Sequence, residues 1–287
     1  MNTENKKVRI IIDSAADLKE EIRDKFTILP MKICFGDTEY TSGVDIDNTQ
    51  FYEKLIESDE LPVTSQIKPF DYKEAFDEAE AAGESVVVIA LSSKLSGTYQ
   101  SAVMASSESN AEVYVVDSMN VAIGIGILAE YALELKENGM SAKEIADALE
   151  KEKGRVRVVA LLNTLEYLKK GGRISRATAF AGELMSIKPV VAISDGEVKM
   201  LGKARGSRQG NNLLVKEIEA AGGVDFKKPL LLGYAGLSDA MLDKYVEDSQ
   251  ELWEPYGKRP EKSIIGSVVG THIGPGAIAV AFFSKEA

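Results

Sequence analysis

The stretch Val86-Val87-Val88-Ile89-Ala90-Leu91 runs directly into Ser92-Ser93-Lys94-Leu95-Ser96-Gly97-Thr98. Six consecutive apolar residues that end at a hydroxyl-rich turn predict a strand buried on both faces, followed by a helix that opens near Ser96. The same order recurs on either side, with strands predicted at Val8–Asp13 and Glu112–Asp117 and helical patterns between them. Because strands that alternate with helices form parallel sheets, the first half predicts a parallel-sheet α/β domain.

The second half has a different pattern. Val156–Leu162 is a further apolar run, and the apolar segments Val190–Ile193 and Val198–Leu201 are joined through Asp195-Gly196, a favoured turn for a β-hairpin. Adjacent hairpin strands with helices predict an α+β domain on a mainly antiparallel sheet. We therefore expect two domains, residues 1–154 and 155–287.

Composition restricts the classes of function. The chain has 34 basic and 45 acidic residues, a net charge of −11, which argues against nucleic-acid binding. His272 is the single histidine and Cys34 the single cysteine, so multi-histidine metal centres, cysteine metal clusters and an intramolecular disulfide are excluded. Since no run approaches the roughly 18–20 apolar residues that span a bilayer, we expect a cytoplasmic protein without stable membrane insertion.

Two hydroxyl-rich segments are candidate binding sites. Ligands of open α/β sheets bind beyond the carboxyl ends of the strands, so the turn around Ser96 is well placed for an anion, although Ser96 could simply be an N-cap. Thr64-Ser65-Gln66 is predicted in a stiff loop between two helices, flanked by Pro62 and Pro69, and could also be an ordinary turn. His272 is predicted in a glycine-rich loop that leads into the last strand.

Basic and glycine-rich segments supply further candidates. The clusters Lys169–Arg176 and Lys203–Arg208 could contact an anion or a partner, or could be solvated loops. Gly124-Ile125-Gly126-Ile127-Leu128-Ala129 matches the dinucleotide-binding string, but its glycines are predicted inside a helix and not in a strand-to-helix turn. Because a helical glycine costs roughly 1 kcal/mol relative to alanine, Gly124 and Gly126 suggest the close approach of another helix or of an apolar ligand.

An enzymatic alternative pairs Ser96 as nucleophile with His272 as base. A nucleophile elbow places glycines two residues before and after the serine, and Lys94 and Thr98 occupy those positions. No acidic partner for His272 is evident from the sequence either. A serine acyl hydrolase is therefore disfavoured but stays open, as does a regulatory protein that binds some other anion.

The order of several short motifs along the chain resembles the DegV family of bacterial fatty-acid-binding proteins. The resemblance covers essentially the whole chain, and its motifs are Asp13-Ser14-Ala15-Ala16-Asp17-Leu18, Gly43-Val44-Asp45-Ile46, Thr64-Ser65-Gln66, Ser96-Gly97-Thr98-Tyr99-Gln100-Ser101-Ala102, Val116-Asp117-Ser118, Leu165–Ile174, Lys188-Pro189 and His272–Ala277. The chain departs from the family pattern at Ile67, where proline is common, and at Ala279, where glycine is common. Because of these two departures, the resemblance does not indicate which acyl chain is preferred.

The resemblance implies a function and a set of site residues. It implies that a long-chain fatty acid such as palmitate lies between the two domains, and that the protein is a carrier without cofactor or metal, not an enzyme. It further implies that the carrier presents the carboxylate to a fatty acid kinase, which forms an acyl phosphate for lipid synthesis. The implied residues are Thr64 and Ser96 on the carboxylate, Ser65, Gly97, Thr98, His272, Arg173 and Arg205 around it, and Arg176 as a possible partner contact.

Overall fold

The computed structural model describes residues 7–174 and 187–285, and the strands in these ranges confirm the predicted alternation in the first half. They are, in chain order, β1 (Val8–Asp13), β2 (Thr27–Leu29), β3 (Lys32–Phe35), β4 (Thr38–Thr41), β5 (Val63–Ser65), β6 (Ser85–Ala90), β7 (Val113–Asp117), β8 (Val156–Leu161), β9 (Ile187–Ser194), β10 (Glu197–Arg205), β11 (Leu230–Tyr234), β12 (Lys262–Ile264) and β13 (Ile278–Phe283).

Helices connect and cover these strands. They are α1 (Asn48–Glu57), α2 (Pro69–Ala81), α3 (Thr98–Ser107), α4 (Ile123–Glu137), α5 (Ala142–Glu152), α6 (Glu166–Lys170), α7 (Gly206–Ala220), α8 (Ala240–Asp248), α9 (Gln250–Trp253) and α10 (Ser267–Ile273). A capping box begins α5, in which Ser141 and Glu144 each bond the other's backbone N–H. No helix within the described residues has the length and apolar character to cross a membrane.

The first half contains a parallel sheet in the order β2-β1-β6-β7. Every residue of β6 is buried, as expected for a central strand with helices on both faces. Thr64 and Ser65, which the sequence places in a loop, instead lie in β5, which pairs with β3 in a small antiparallel sheet. Pro30, which cannot donate to a ladder, separates β2 from β3.

The second half contains a sheet in the order β10-β9-β8-β13-β11-β12, antiparallel except for the pairing of β11 with β12. Its two faces carry different cores, because successive residues of a strand point to opposite sides. Val158 and Ala160 belong to the core shared with the first half, whereas Val159 and Leu161 pack in the core that includes residues of α7 and α8. The mainly antiparallel sheet predicted for this half is thereby confirmed.

Three polar contacts hold α10 of the second half against the first half. The backbone N–H of Gly266 donates to Asp17 Oδ1 at 2.8 Å, Tyr52 donates to the Ile265 carbonyl at 2.7 Å, and the hydroxyls of Ser42 and Ser267 lie 2.9 Å apart. His272 lies in the last turn of α10 and not in the predicted loop. The predicted domain boundary at 154–155 falls in a short 3-10 helix, residues 153–155, between α5 and β8.

The two glycines of the nucleotide-like string lie inside α4, as predicted. A Cβ on Gly126 would overlap the backbone carbonyl of Asp17, and a Cβ on Gly124 would lie 2.6 Å from Val158 Cγ2. The close approach is therefore made by the loop after β1 and by a side chain of β8, and not by another helix. Neither glycine lines the cavity described below, so they do not make room for a ligand directly.

Candidate functional site

Buried carboxylates organise the loops at the carboxyl ends of the parallel strands. Asp13, the last residue of β1, accepts hydrogen bonds from the backbone N–H groups of Ala15 and Leu91, at 3.1 and 2.7 Å. Burial raises the pKa of Asp13 to about 6, against these two bonds, which favour the charged form. Asp117 at the end of β7 accepts from the N–H of Ser93 at 3.2 Å. Together the two carboxylates fix the turn that leads from β6 to Ser96.

The turn at Ser96 is held by its own hydroxyl groups. Ser96 Oγ lies 3.0 Å from Thr98 Oγ1 and accepts from the Thr98 N–H at 3.2 Å, so α3 begins at Thr98 and Ser96 precedes it. A Cβ on Gly97 would overlap the side-chain oxygen of Gln66, whose Nε2 donates to Ser101 Oγ at 3.1 Å. Glycine at position 97 thus lets the segment after β5 lie against the Ser96 turn.

Thr64 and His272, which are 208 residues apart in sequence, meet in a hydrogen bond of 3.0 Å between Oγ1 and Nε2. His272 Nδ1 is buried and has no hydrogen-bond partner among the described residues. A proton on Nδ1 would have no acceptor, so we place it on Nε2, where it is donated to Thr64. The hydroxyl proton of Thr64 is then free for another acceptor.

Arg173 connects the histidine to the Ser96 turn. It donates to the Gly171 carbonyl at 2.6 Å and to the Leu95 carbonyl at 3.3 Å. A Cβ on Gly171 would lie 2.5 Å from His272 Nδ1, so this glycine leaves the space that the imidazole occupies. The glycine-rich basic segment therefore places a guanidinium beside the histidine.

These contacts, together with the chain segments Leu95–Gly97 and Thr64–Gln66, connect a group of residues that we call the polar ring. It comprises Thr64, Gln66, Gly97, Ser96, Arg173, Gly171 and His272. Burial, reinforced by the positive charge of Arg173, lowers the pKa of His272 to about 4, so the imidazole is neutral at pH 7. Among the described residues no carboxylate forms an ion pair with Arg173 or His272. The polar ring therefore offers hydroxyls and one guanidinium to an anion.

An apolar cavity lies next to the polar ring, between the carboxyl ends of the parallel strands and one face of the antiparallel sheet. Its apolar lining consists of Met31, Leu91, Leu95, Val121, Ala122, Val158, Ala160, Leu162, Leu168, Val191, Ala192, Ile193, Val198, Ile265, Val268, Val269, Ile273 and Ala279.

The structure brings most of the sequence-predicted site residues together. Thr64, Ser96, Gly97, Arg173 and His272 all line the cavity. Thr98 is buried and its hydroxyl is hydrogen-bonded to that of Ser96, whereas Ser65 is exposed on β5. Arg205 is exposed at the end of β10 and is not a lining residue, and Arg176 lies outside the described residues.

Two features of the site have no clear signal in the sequence. Gln66 stands out there only as part of the Thr64-Ser65-Gln66 motif, yet its side chain shapes the turn at Gly97. Ala122 lines the cavity with φ +54 and ψ −131, a conformation that few residues other than glycine adopt. Of the two family departures, Ala279 lines the cavity, whereas Ile67 is buried but is not a lining residue.

The geometry gives no support to the serine hydrolase. Ser96 Oγ pairs with Thr98, whereas His272 Nε2 pairs with Thr64, and no carboxylate of the described residues orients the imidazole at Nδ1. A histidine whose pKa is about 4 is also a weak base for removing a serine proton. The arrangement suits the holding of an anion better than nucleophilic attack.

A family model described as "Uncharacterised protein, DegV family" matches residues 7–285. The chain belongs to the DegV family. A DegV domain-containing protein of Clostridium perfringens is 36% identical to it, covering 96% of this chain and 97% of the relative.

Solved DegV structures have the same fold. "DegV, a fatty acid binding protein from Bacillus subtilis" is 29% identical with a TM-score of 0.83, covering 98% of this chain and 100% of that one. A DegV family protein of Thermus thermophilus, described for its fatty acid binding, is 28% identical with a TM-score of 0.84, covering 97% and 100%. The resemblance inferred from the short motifs is thereby confirmed.

Proposed function

We propose that this chain binds one long-chain fatty acid in the cavity, with the carboxylate at the polar ring and the alkyl chain among the apolar lining residues. The observation that carries the proposal is the pairing of an apolar cavity with hydroxyls and a guanidinium that lacks acidic partners among the described residues. The DegV relatives described as fatty-acid-binding proteins support the same ligand class.

The two ends of the ligand have different roles. Each buried methylene group contributes about 0.8 kcal/mol, so an alkyl chain of about fifteen carbons approaches 12 kcal/mol before the cost of association. A hydrogen bond to a charged group adds only about 1.5–3 kcal/mol. The apolar lining therefore provides most of the affinity, and the hydroxyls of Thr64 and Ser96 determine which end of the ligand faces the opening.

Calorimetric titration of lipid-free protein tests this assignment. A long-chain fatty acid is expected to bind with one molecule per chain and a negative heat-capacity change, because binding buries apolar surface. Its methyl ester, which lacks the charge, is expected to bind more weakly. If the acid does not bind, the proposal for the cavity is contradicted. If the acid and the ester bind equally well, the proposal for the polar ring is contradicted.

We further propose that the bound acid is presented to a fatty acid kinase. In that reaction a carboxylate oxygen attacks the γ-phosphorus of ATP, which gives an acyl phosphate and ADP. The neutral His272 and Arg173 lie at the rim beside the carboxylate position and would face the kinase. Arg205 and Arg176 remain proposed accessory and partner contacts.

The handover is tested with His272→Ala in a reconstituted reaction of carrier, kinase, ATP and fatty acid. We expect the variant to retain fatty acid binding and to form acyl phosphate, trapped with hydroxylamine, much more slowly. Loss of fatty acid binding would instead place His272 in direct contact with the ligand, and an unchanged rate would exclude it from the handover.

A further inference from the structure

A second groove lies on the other side of one wall of the cavity. It runs between the end of α5, the β9–β10 hairpin and α7. Leu201, Ala220 and Ala221 provide apolar surface there, and the groove is also lined by the charged residues Glu150, Lys151, Lys153, Arg157, Asp195 and Glu217. Val158, Ile193 and the smaller Ala192 border both the cavity and this groove. The two spaces are thus neighbours separated by a thin wall of side chains.

The wall coincides with the end of a strand ladder. Val158 and Ile193 form the terminal cross-strand pair of β8 and β9, and beyond them the two strands are no longer paired. Both side chains are nearly closed off from solvent, with 6% and 8% exposed. His272 precedes β13, whose first residue, Ile278, pairs with Leu161 at the other end of β8. Val158 lies three residues before Leu161, or about 10 Å along the strand. Along β8, the wall therefore lies at the opposite end from His272.

The position of Val158 depends on a glycine of α4. A Cβ on residue 124 would lie 2.6 Å from Val158 Cγ2, a distance at which the valine must move. Gly124 does not touch the cavity itself, and a glycine inside a helix costs roughly 1 kcal/mol relative to alanine. The glycine thus allows α4 to pack on β8 with Val158 in its present place.

We propose that Val158 and Ile193 form a partition that limits the length of the bound acyl chain, and that Gly124 positions this partition. The inference rests on the proposed fatty acid binding. With the partition intact, the alkyl chain ends inside the cavity. With a smaller side chain at either position, the cavity joins the second groove and a longer chain can extend into it.

The test is competition between saturated fatty acids that differ by two methylene groups, on lipid-free protein. Val158→Ala and Ile193→Ala are expected to raise the affinity for the longer acid relative to the shorter one, by up to about 15-fold if both methylene groups become buried. Val158→Ile, which enlarges the side chain, is expected to shift the ratio in the opposite direction. Val190→Ala is the matched control, because Val190 is fully buried on the opposite face of β9.

Gly124→Ala provides a separate check of the positioning role. It is expected to push Val158 toward the cavity and to favour the shorter acid, and this effect is expected to vanish in a Val158→Ala background. One outcome is that the wild type binds fatty acid while Val158→Ala, Ile193→Ala and Val190→Ala all keep the wild-type ratio of affinities for the longer and the shorter acid. In that case the partition is wrong and the proposed function stands. If wild type binds no fatty acid, both are overturned.

Discussion

Replacing Thr64 by valine removes one hydroxyl and keeps the branched shape of the side chain. In the unliganded protein the variant loses the 3.0 Å bond to His272 Nε2, and because Nδ1 already lacks a partner, both ring nitrogens are left unpaired. An unsatisfied buried polar group costs about 1–3 kcal/mol, so the free energy of unfolding is expected to fall by at least about 1 kcal/mol.

The larger effect is expected on the ligand. A hydrogen bond to a charged group contributes about 1.5–3 kcal/mol, so Thr64→Val is expected to weaken binding of a long-chain fatty acid by about 10-fold to about 150-fold. The matching fatty alcohol, which carries no charge, is expected to lose about 10-fold or less, since neutral hydrogen bonds contribute about 0.5–1.5 kcal/mol. Displacement of a fluorescent fatty acid from lipid-free protein measures both ligands.

Thr38→Val serves as the matched control, because Thr38 is an exposed threonine on β4 away from the lining residues. It is expected to leave both affinities unchanged. Thr64→Val could bind the acid as tightly as Thr38→Val does, or could lose the same affinity for the acid as for the alcohol. Either result would show that the carboxylate does not lie at Thr64.

Three further predictions concern stability, each measured by urea unfolding. Burial raises the pKa of Asp17 from 3.8 to about 7. The folded state therefore holds the proton more tightly, and the free energy of unfolding of the wild type falls as pH rises from about 4 to about 7. The Asp17→Asn variant should show a weaker dependence on pH over this range, and equal dependence in both proteins would contradict the prediction. Gly97→Ala should destabilise by displacing the Gln66 side chain, and Gln66→Ala should largely rescue it; no rescue would count against this contact. Gly126→Ala should cost several times more than Gly154→Ala, whose Cβ meets only open space; equal costs would exclude the close approach.

Much of the fold follows from local patterns. The apolar run from Val86, the helix after Ser96 and the Asp195-Gly196 hairpin each carry a signal within a few residues, and all three are present in the structure. The errors lie where the signal is short or mixed. The strand β5 has three residues and forms only because β3 offers it a partner, so nothing near Thr64 predicts extended pairing.

The site was harder to predict than the fold. The position of Ser96 follows from the rule that ligands lie beyond the carboxyl ends of parallel strands, and the structure places it on the cavity. The bond between Thr64 and His272 joins residues from different halves of the chain, so the motif resemblance, not spacing or composition, brought them together. The left-handed backbone of Ala122 carries no sequence signal, because glycine or asparagine is the usual residue there.

The residues that require glycine at positions 124, 126 and 171 come from distant parts of the chain. The sequence indicates that something approaches the helix at Gly124 and Gly126, because helical glycine is costly. It does not indicate what approaches, since the neighbours, Val158 and the Asp17 carbonyl, come from distant segments. Gly171 is similar, because its function becomes visible only once His272 is seen beside it.

The most direct test of the central claim is to denature freshly purified protein, extract it with organic solvent and identify the released lipids by mass spectrometry. We expect a long-chain fatty acid in an amount close to one molecule per chain, and a marked reduction of that amount in the Thr64→Val, Ser96→Ala double variant. The absence of any fatty acid in the extract, together with no uptake when lipid-free protein is incubated with long-chain fatty acids, would contradict it.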